Sequence, residues 1–552
     1  MGSLRTAGGR FGCEQPTIAV VSTETAATVI DLTKQPPDEA EPAVVTAAPA
    51  APREARGVPD AVRARLATVA SDPMSWLATG FVVAVGAILR LAGLGFPGSK
   101  IFDEVYYATE ADELLHYGVE WKPENNAGDY VVHPPLGKWC IALGEWLFGY
   151  DSFGWRISSA VVGVISILLL VRIARRMFRS TVLGCAAGLL MTLDGLHFVL
   201  SRTALLDIFL MTFVLAAFGC VVLDRDQRRR RALAALESGR AALGDRLRLG
   251  VPWWRLAAAL FIGCACSVKL SGAFFIPALL LIMLLWEIGL RRTVGERRPW
   301  AFGFLNVTAW ATAMGVLMLC VYLASWTGWF ATDYGWNRHG PAATGQDEPP
   351  VIGALKNLWD YHVSAYEFHT TLVKKHNYQS WPWQWLLTGR PVLFFWDPEP
   401  PPCGSDRCAA EVLLLGNPLL WWSFIPALAG LTWFGIAQRD KRAAAIAIMI
   451  AAGLLPWFWY QYDGGRTMFV FYALPALPFL ILAVVYVLGS IIGPAGPPAA
   501  GVPDRRMIGA VALGLYVLLI AASFAYFHPI YVGDSIPYDS WWDRMLLGRR
   551  WV

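Results

Sequence analysis

Two neighbouring carboxylates, Asp103 and Glu104 of "IFDEVYY", follow an apolar stretch and open a segment of helical spacing. Acidic residues favour the first turn of a helix, so a solvated helix start would account for the pair by itself. A carboxylate held at a membrane-facing cleft has a second use. With its pKa set by its neighbours, it can take the proton of an alcohol as that alcohol attacks an electrophile.

Cations gather at comparable positions along the chain. "GWRISS" puts Arg156 at the start of an apolar run, "LDGLHFVLSRTALLD" groups Asp194, His197, Arg202 and Asp207 around a turn, and "CSVKLSG" puts Lys269 at another. A charge inside a membrane span costs roughly 2.5–3.5 kcal/mol on insertion scales, so such groups usually have a partner or a task. Each could snorkel to the interface alone. Three cations on one leaflet suit an anionic ligand better. A lipid-linked sugar phosphate would lay its prenyl tail among the spans, its phosphate against Arg or Lys, and its sugar towards Asp103.

The elements that must hold these groups are membrane helices. The 552 residues are 56% hydrophobic and 16% charged, with mean hydropathy +0.44, which is too apolar for a soluble chain of this size. The net charge of +4 comes largely from Arg clusters between apolar runs, a topology signal rather than a nucleic-acid footprint. About eleven runs reach or approach the roughly 20 residues a span needs: 76–95, 155–173, 181–200, 204–223, 254–268, 270–290, 301–324, 413–437, 443–460, 467–489 and 507–527.

The basic residues set the orientation. Arg63 and Arg65 precede the first span, Arg172, Arg175, Arg176 and Arg179 follow the second, and "RDQRRRR", "RRTVGERR", "QRDKR" and Arg505–Arg506 continue on the same side. That side is expected to be cytoplasmic. Residues 1–70, rich in Ala, Pro, Thr and Glu, are expected to form a disordered cytoplasmic tail without a signal peptide, ahead of a transmembrane domain over 71–528. The outer side receives 96–154, the long segment 325–412 and a tail over 529–552, all rich in Trp, Tyr, His and Pro. Within 96–154 the spacing predicts two amphipathic helices along the surface. "WPWQW" and "WW" read as interfacial anchors. Most cysteines lie in apolar segments; Cys403 and Cys408 of "PPCGSDRC" favour a local disulfide over a metal site if their loop faces an oxidising compartment, and the pairing is left open.

The same motifs, in order over roughly 100–490, resemble those of the protein O-mannosyltransferases, integral membrane enzymes of the GT-C class. "FDEVYYATEADELL", "VHPPLGK", "LDGLHFVLSRTALLD", "GCACSVKLSGAF", "YHVSAYEFHTTLVKKHNYQSWPWQWLLTGRP", "LLGNPLLWW" and "YALPALPFLIL" carry the resemblance. It implies an all-α polytopic fold that transfers mannose from polyprenyl-phosphate mannose to Ser or Thr of a translocating protein, with inversion, in a bacterial plasma membrane of actinobacterial type. Asp103 would be the base and Glu104 its acidic neighbour. Arg156, Arg202 and Lys269 would face the lipid phosphate, and His133, Asp194, Asp207, Glu367 and His369 would contribute to substrate binding. Segment 325–412 has no room for the β-trefoil of eukaryotic relatives. No cofactor or metal is expected, although Asp103, Glu104 and His133 could in principle gather round a divalent ion. The need for an unfolded acceptor suggests coupling to protein export. The competing readings are another GT-C transferase acting on lipid or glycan, and a transporter, which would instead spread ionisable groups along a path through the bilayer.

Overall fold

Long apolar runs have only one way to satisfy their backbone in lipid, and they take it as helices. The computed structural model describes residues 57–340, 350–462, 465–493 and 505–552. Among these, nine helices are long and apolar enough to span a membrane, from Pro73–Leu91 to Arg505–Val532, and two shorter apolar helices, Thr181–Thr192 and Trp253–Val268, complete the bundle. All correspond to the expected spans, with three differences of boundary.

The run 181–200 is not one helix. Asp194 stops the first piece and caps the second, Gly195–Leu200, by accepting a hydrogen bond from the His197 N–H at 2.9 Å. The run 413–437 begins as a strand, Glu411–Leu414, and turns helical only from Pro418, whose missing N–H costs nothing in a first helical turn. The run 254–268 ends at Lys269, whose backbone is extended (φ −147°, ψ 139°) before a 3-10 turn Leu270–Phe274 leads into Phe275–Thr293. Gly272 permits that break, since a Cβ there would stand 2.8 Å from the Ala265 carbonyl carbon.

At the end of the bundle away from the Arg clusters the two expected amphipathic helices form as Glu104–Tyr117 and Leu136–Phe148, joined through a short hairpin pairing Trp121 with Gly128. Segment 325–412 folds around helix Pro350–Thr371 and a strand Val392–Trp396 antiparallel to Glu411–Leu414. The terminal tail is folded against it: Ile536–Pro537 pairs with Cys408–Ala409, and buried Trp551 donates to the Thr388 carbonyl at 2.8 Å. Cys403 and Cys408 form a disulfide.

The expected N-terminal tail lies outside the described residues up to 56, but the expectation of disorder to residue 70 does not hold. Asp60–Leu66 is helical, and Leu66 packs with Leu236, Leu249 and Leu290. The Arg runs are also more than a solvated edge. Arg228 and Arg255 pair with buried Glu287 at 2.6 and 3.0 Å, and Arg255 with Asp224 at 2.9 Å.

Candidate active site

Asp103 is held by a strained turn. Phe102 has φ +48°, a left-handed conformation unfavourable for a side chain of its size. It is pinned there by a ring stack on Phe394 (4.6 Å) and edge contacts with Phe469 and Phe471. Asp103 occupies the cap position of helix Glu104–Tyr117, yet its carboxylate makes no capping bond, which leaves it available for chemistry. Burial, joined by the charges of Asp207 and Glu110 and opposed by Lys269, pushes its pKa up to about 6.

Its neighbour has a different job. Glu104 is fully buried and accepts from the Ile101 N–H (3.0 Å), the Ala204 N–H (2.9 Å) and both Nε and Nη2 of Arg156 (2.8 and 2.7 Å). Arg156 spends its remaining donors on the carbonyls of Leu94, Pro97 and Ser99. This bidentate pair ties the acidic loop to the start of helix Gly154–Phe178. Glu104 and Arg156, expected respectively in catalysis and at the phosphate, are here engaged with each other and with backbone groups. With both Glu104 oxygens engaged, the trio Asp103, Glu104 and His133 does not assemble round an ion, and no group of three or more metal-ligating residues does so among the described residues.

Arg202 is likewise turned inward, capping the carbonyls of Arg90, Ala92 and Gly93 at the end of helix Pro73–Leu91 at 3.0, 2.6 and 2.9 Å. Asp194 is fully buried and accepts from the Trp421 indole N–H at 2.6 Å and the Asn417 N–H at 3.3 Å, which makes it a clamp between helices rather than a substrate ligand. Glu367 is exposed on helix Pro350–Thr371.

What the structure brings together is a cavity of about 130 Å³ lined by His133, Asp207, Lys269, Tyr366, His369 and Arg466, with Leu210, Leu270, Phe274, Phe275 and Pro475 among its apolar lining. Lys269 donates to Asp207 Oδ2 at 2.8 Å. Arg466 is the residue that the sequence reading missed. Its Nη2 lies 3.2 Å from His369 Nδ1, and the His369 Nε2 lies 3.1 Å from the Val132 carbonyl, which selects the tautomer protonated at Nε2. His133 stacks on His369 at 5.2 Å. Burial lowers both imidazoles, helped by Arg466 and Lys269: His369 falls to about 4 and His133 well below 6.5, so both are neutral at physiological pH. Buried Arg466 Nε has no hydrogen-bond partner, and a cation with a spare donor at an apolar cavity is equipped to meet an anion.

A helical membrane bundle that carries a poised carboxylate beside a cation-lined, half-apolar cavity under surface helices defines a transferase of the GT-C class. The backbone supports that class: it matches the Saccharomyces cerevisiae protein O-mannosyltransferase Pmt1-Pmt2 complex, solved with its sugar donor, with a TM-score of 0.61 over 86% of this chain and 92% of that one, at 15% identity. In sequence, the family described as dolichyl-phosphate-mannose-protein mannosyltransferase matches residues 80–331, and the C-terminal four-helix region of protein-O-mannosyltransferase matches 354–551. The polyprenol-phosphate-mannose–protein mannosyltransferase of Mycolicibacterium smegmatis is 41% identical over 84% of this chain and 91% of its own length. Its Mycobacterium tuberculosis counterpart is 37% identical over 92% and 96%. The chain belongs to the protein O-mannosyltransferase family.

Proposed function

We propose that this protein transfers mannose from a polyprenyl-phosphate mannose to a Ser or Thr hydroxyl of a polypeptide, with inversion at the anomeric carbon. The observation that carries the reading is the cavity itself, which Lys269 and Arg466 line together with apolar side chains and whose Lys269 and Asp207 act electrostatically on Asp103. Asp103 takes the hydroxyl proton as the oxygen forms its bond to the anomeric carbon. The carbon–oxygen bond to the phosphate breaks at the same time, and the electron pair leaves on the prenyl phosphate. Lys269 and Arg466 stabilise that developing charge in a site shielded from water. Asp207 holds Lys269, and neutral His369 holds Arg466, so both cations are pre-positioned. No metal enters this step, and transfer should survive exhaustive chelation.

The reaction is proposed to occur on the outer face of the plasma membrane, with the N-terminus cytoplasmic, on acceptors delivered by protein export. The positive-inside pattern and the Cys403–Cys408 disulfide support that orientation. Asp103→Asn keeps the shape of the side chain and removes its basicity. Mass spectrometry of a Ser/Thr-rich acceptor in membranes supplied with the donor should then show hexose transfer reduced by at least about 10²-fold. Full activity in this variant would remove Asp103 from the mechanism.

A further inference from the structure

A second cavity lies at the opposite end of helix Gly154–Phe178, whose 25 residues separate it from the Glu104 clamp by about 37 Å at 1.5 Å per residue. Nine of its fifteen lining residues are Arg or Lys, and Asp440 is its one acidic wall. The local acids do not balance this charge. Asp440 is already bound by Arg442 at 2.6 Å, and Asp226 by Arg225 at 2.9 Å. The side chains of Arg229, Arg439 and Lys441 enter no hydrogen bond or ion pair among the described residues, although all three line the cavity.

Two of these cations are placed at a backbone cost. Arg179 (φ +55°) and Arg439 (φ +49°) are both left-handed, directly after helices Gly154–Phe178 and Pro418–Ala437. Such positions favour Gly or Asn. A cation near a helix C-terminus gains from the macrodipole, but that gain does not require several unpaired cations from separate helices to share one cavity. An adjoining cavity shares Arg179, Gln438 and Arg442 and continues along Phe178, Val182, Leu183, Ile492 and Met507. The two together offer a cationic basin opening on a trough whose walls are about half apolar.

We propose that this basin binds a phosphate-bearing anion at the end of the bundle away from the active site, and that the adjoining trough favours the headgroup of an anionic phospholipid over a soluble phosphate. The two sources share the same contact: phosphate oxygens accept from guanidinium and ammonium groups that have no hydrogen-bond or ion-pair partner among the described residues.

The test uses the full-length protein, purified in neutral detergent and probed with phosphatidylglycerol by native mass spectrometry and with inorganic pyrophosphate by thermal shift. Arg229→Gln with Lys441→Gln should weaken phosphatidylglycerol retention by about fivefold for each cation removed. Arg439→Gly removes a third cation while relieving the left-handed backbone, so its loss of retention cannot be attributed to misfolding. Arg248→Gln, an exposed Arg outside the basin, should change nothing. Loss of a pyrophosphate-induced rise in Tm, without loss of lipid retention, would assign the basin to a soluble phosphate. Variants that keep wild-type lipid retention and wild-type response to pyrophosphate, or an equal loss in Arg248→Gln, would overturn the site.

Discussion

A carboxyl with a pKa near 6 is still ionised at neutral pH, and it is a stronger base than an exposed aspartate. Because the base must be deprotonated, kcat/KM should be full above about pH 6 and fall as pH drops through that value, with a slope of one proton. His369, at about 4, and His133, lower than usual, do not change charge in that window, so neither imidazole accounts for the limb, which is expected from Asp103 and should be absent from any residual activity of Asp103→Asn. A pH profile with the donor varied at fixed acceptor checks this; a flat profile down to pH 5 would mean that burial does not raise this carboxyl. The carboxylate pair was legible in the sequence, but whether Asp103 merely opens a helix or faces a cavity was not, because both readings fit a helix start. The partners of Arg156 and Arg202 were not legible, because a cation at the end of a span announces only that it needs a partner. Whether that partner is a ligand or a set of loop carbonyls is decided by tertiary contacts. Arg466 escaped because the Tyr and Asp of "YQYDGGR" read as an ordinary interfacial segment just past a span, and its tie to His369 joins positions 97 residues apart.

At the scale of elements, the site depends on breaks in regular structure, and each break is held by a buried polar clamp. Glu104 and Arg156 fix the loop that ends in the strained Phe102 turn. Removing one partner of a buried pair leaves the other uncompensated and costs about 3–5 kcal/mol. Glu104→Gln should therefore lower Tm sharply, while the enzyme that remains folded keeps a near-normal KM for the donor. Arg466→Gln should do the reverse, with Tm nearly unchanged and kcat/KM for the donor reduced about 10- to 100-fold, the worth of a charge-assisted hydrogen bond. Thermal unfolding and steady-state kinetics on the pair of variants separate positioning from contact, and a donor-specific defect in Glu104→Gln with no loss of stability would reverse the assignment. The helices themselves were readable from apolar runs and their lengths. Their interruptions at Asp194, Lys269 and residues 411–417 were not, since an apolar run reports burial and says little about where a strand, a cap or a 3-10 turn replaces the helix.

For the whole molecule, the outer segments act as one folded cover. The strand Cys408–Ala409 pairs with Ile536–Pro537, Arg390 donates to the carbonyls of Arg550 and Val552, and Trp551 is buried beside Thr388, so residues 325–412 and the terminal tail close over the same end of the bundle. A cover of this kind explains how a chain without a trefoil can still enclose an outer cavity. It also carries an orientation marker, because a disulfide between Cys403 and Cys408 persists only in an oxidising compartment. In intact cells, a membrane-impermeant maleimide should leave the peptide containing both cysteines unmodified until an impermeant reductant is added, and should then label it without permeabilisation. Peptide mapping by mass spectrometry follows this pair separately from the other seven cysteines. Labelling without reduction would remove the disulfide, whereas labelling that requires permeabilisation would place the cover, and Asp103 beneath it, on the cytoplasmic face, where an exported polypeptide is not yet available as acceptor.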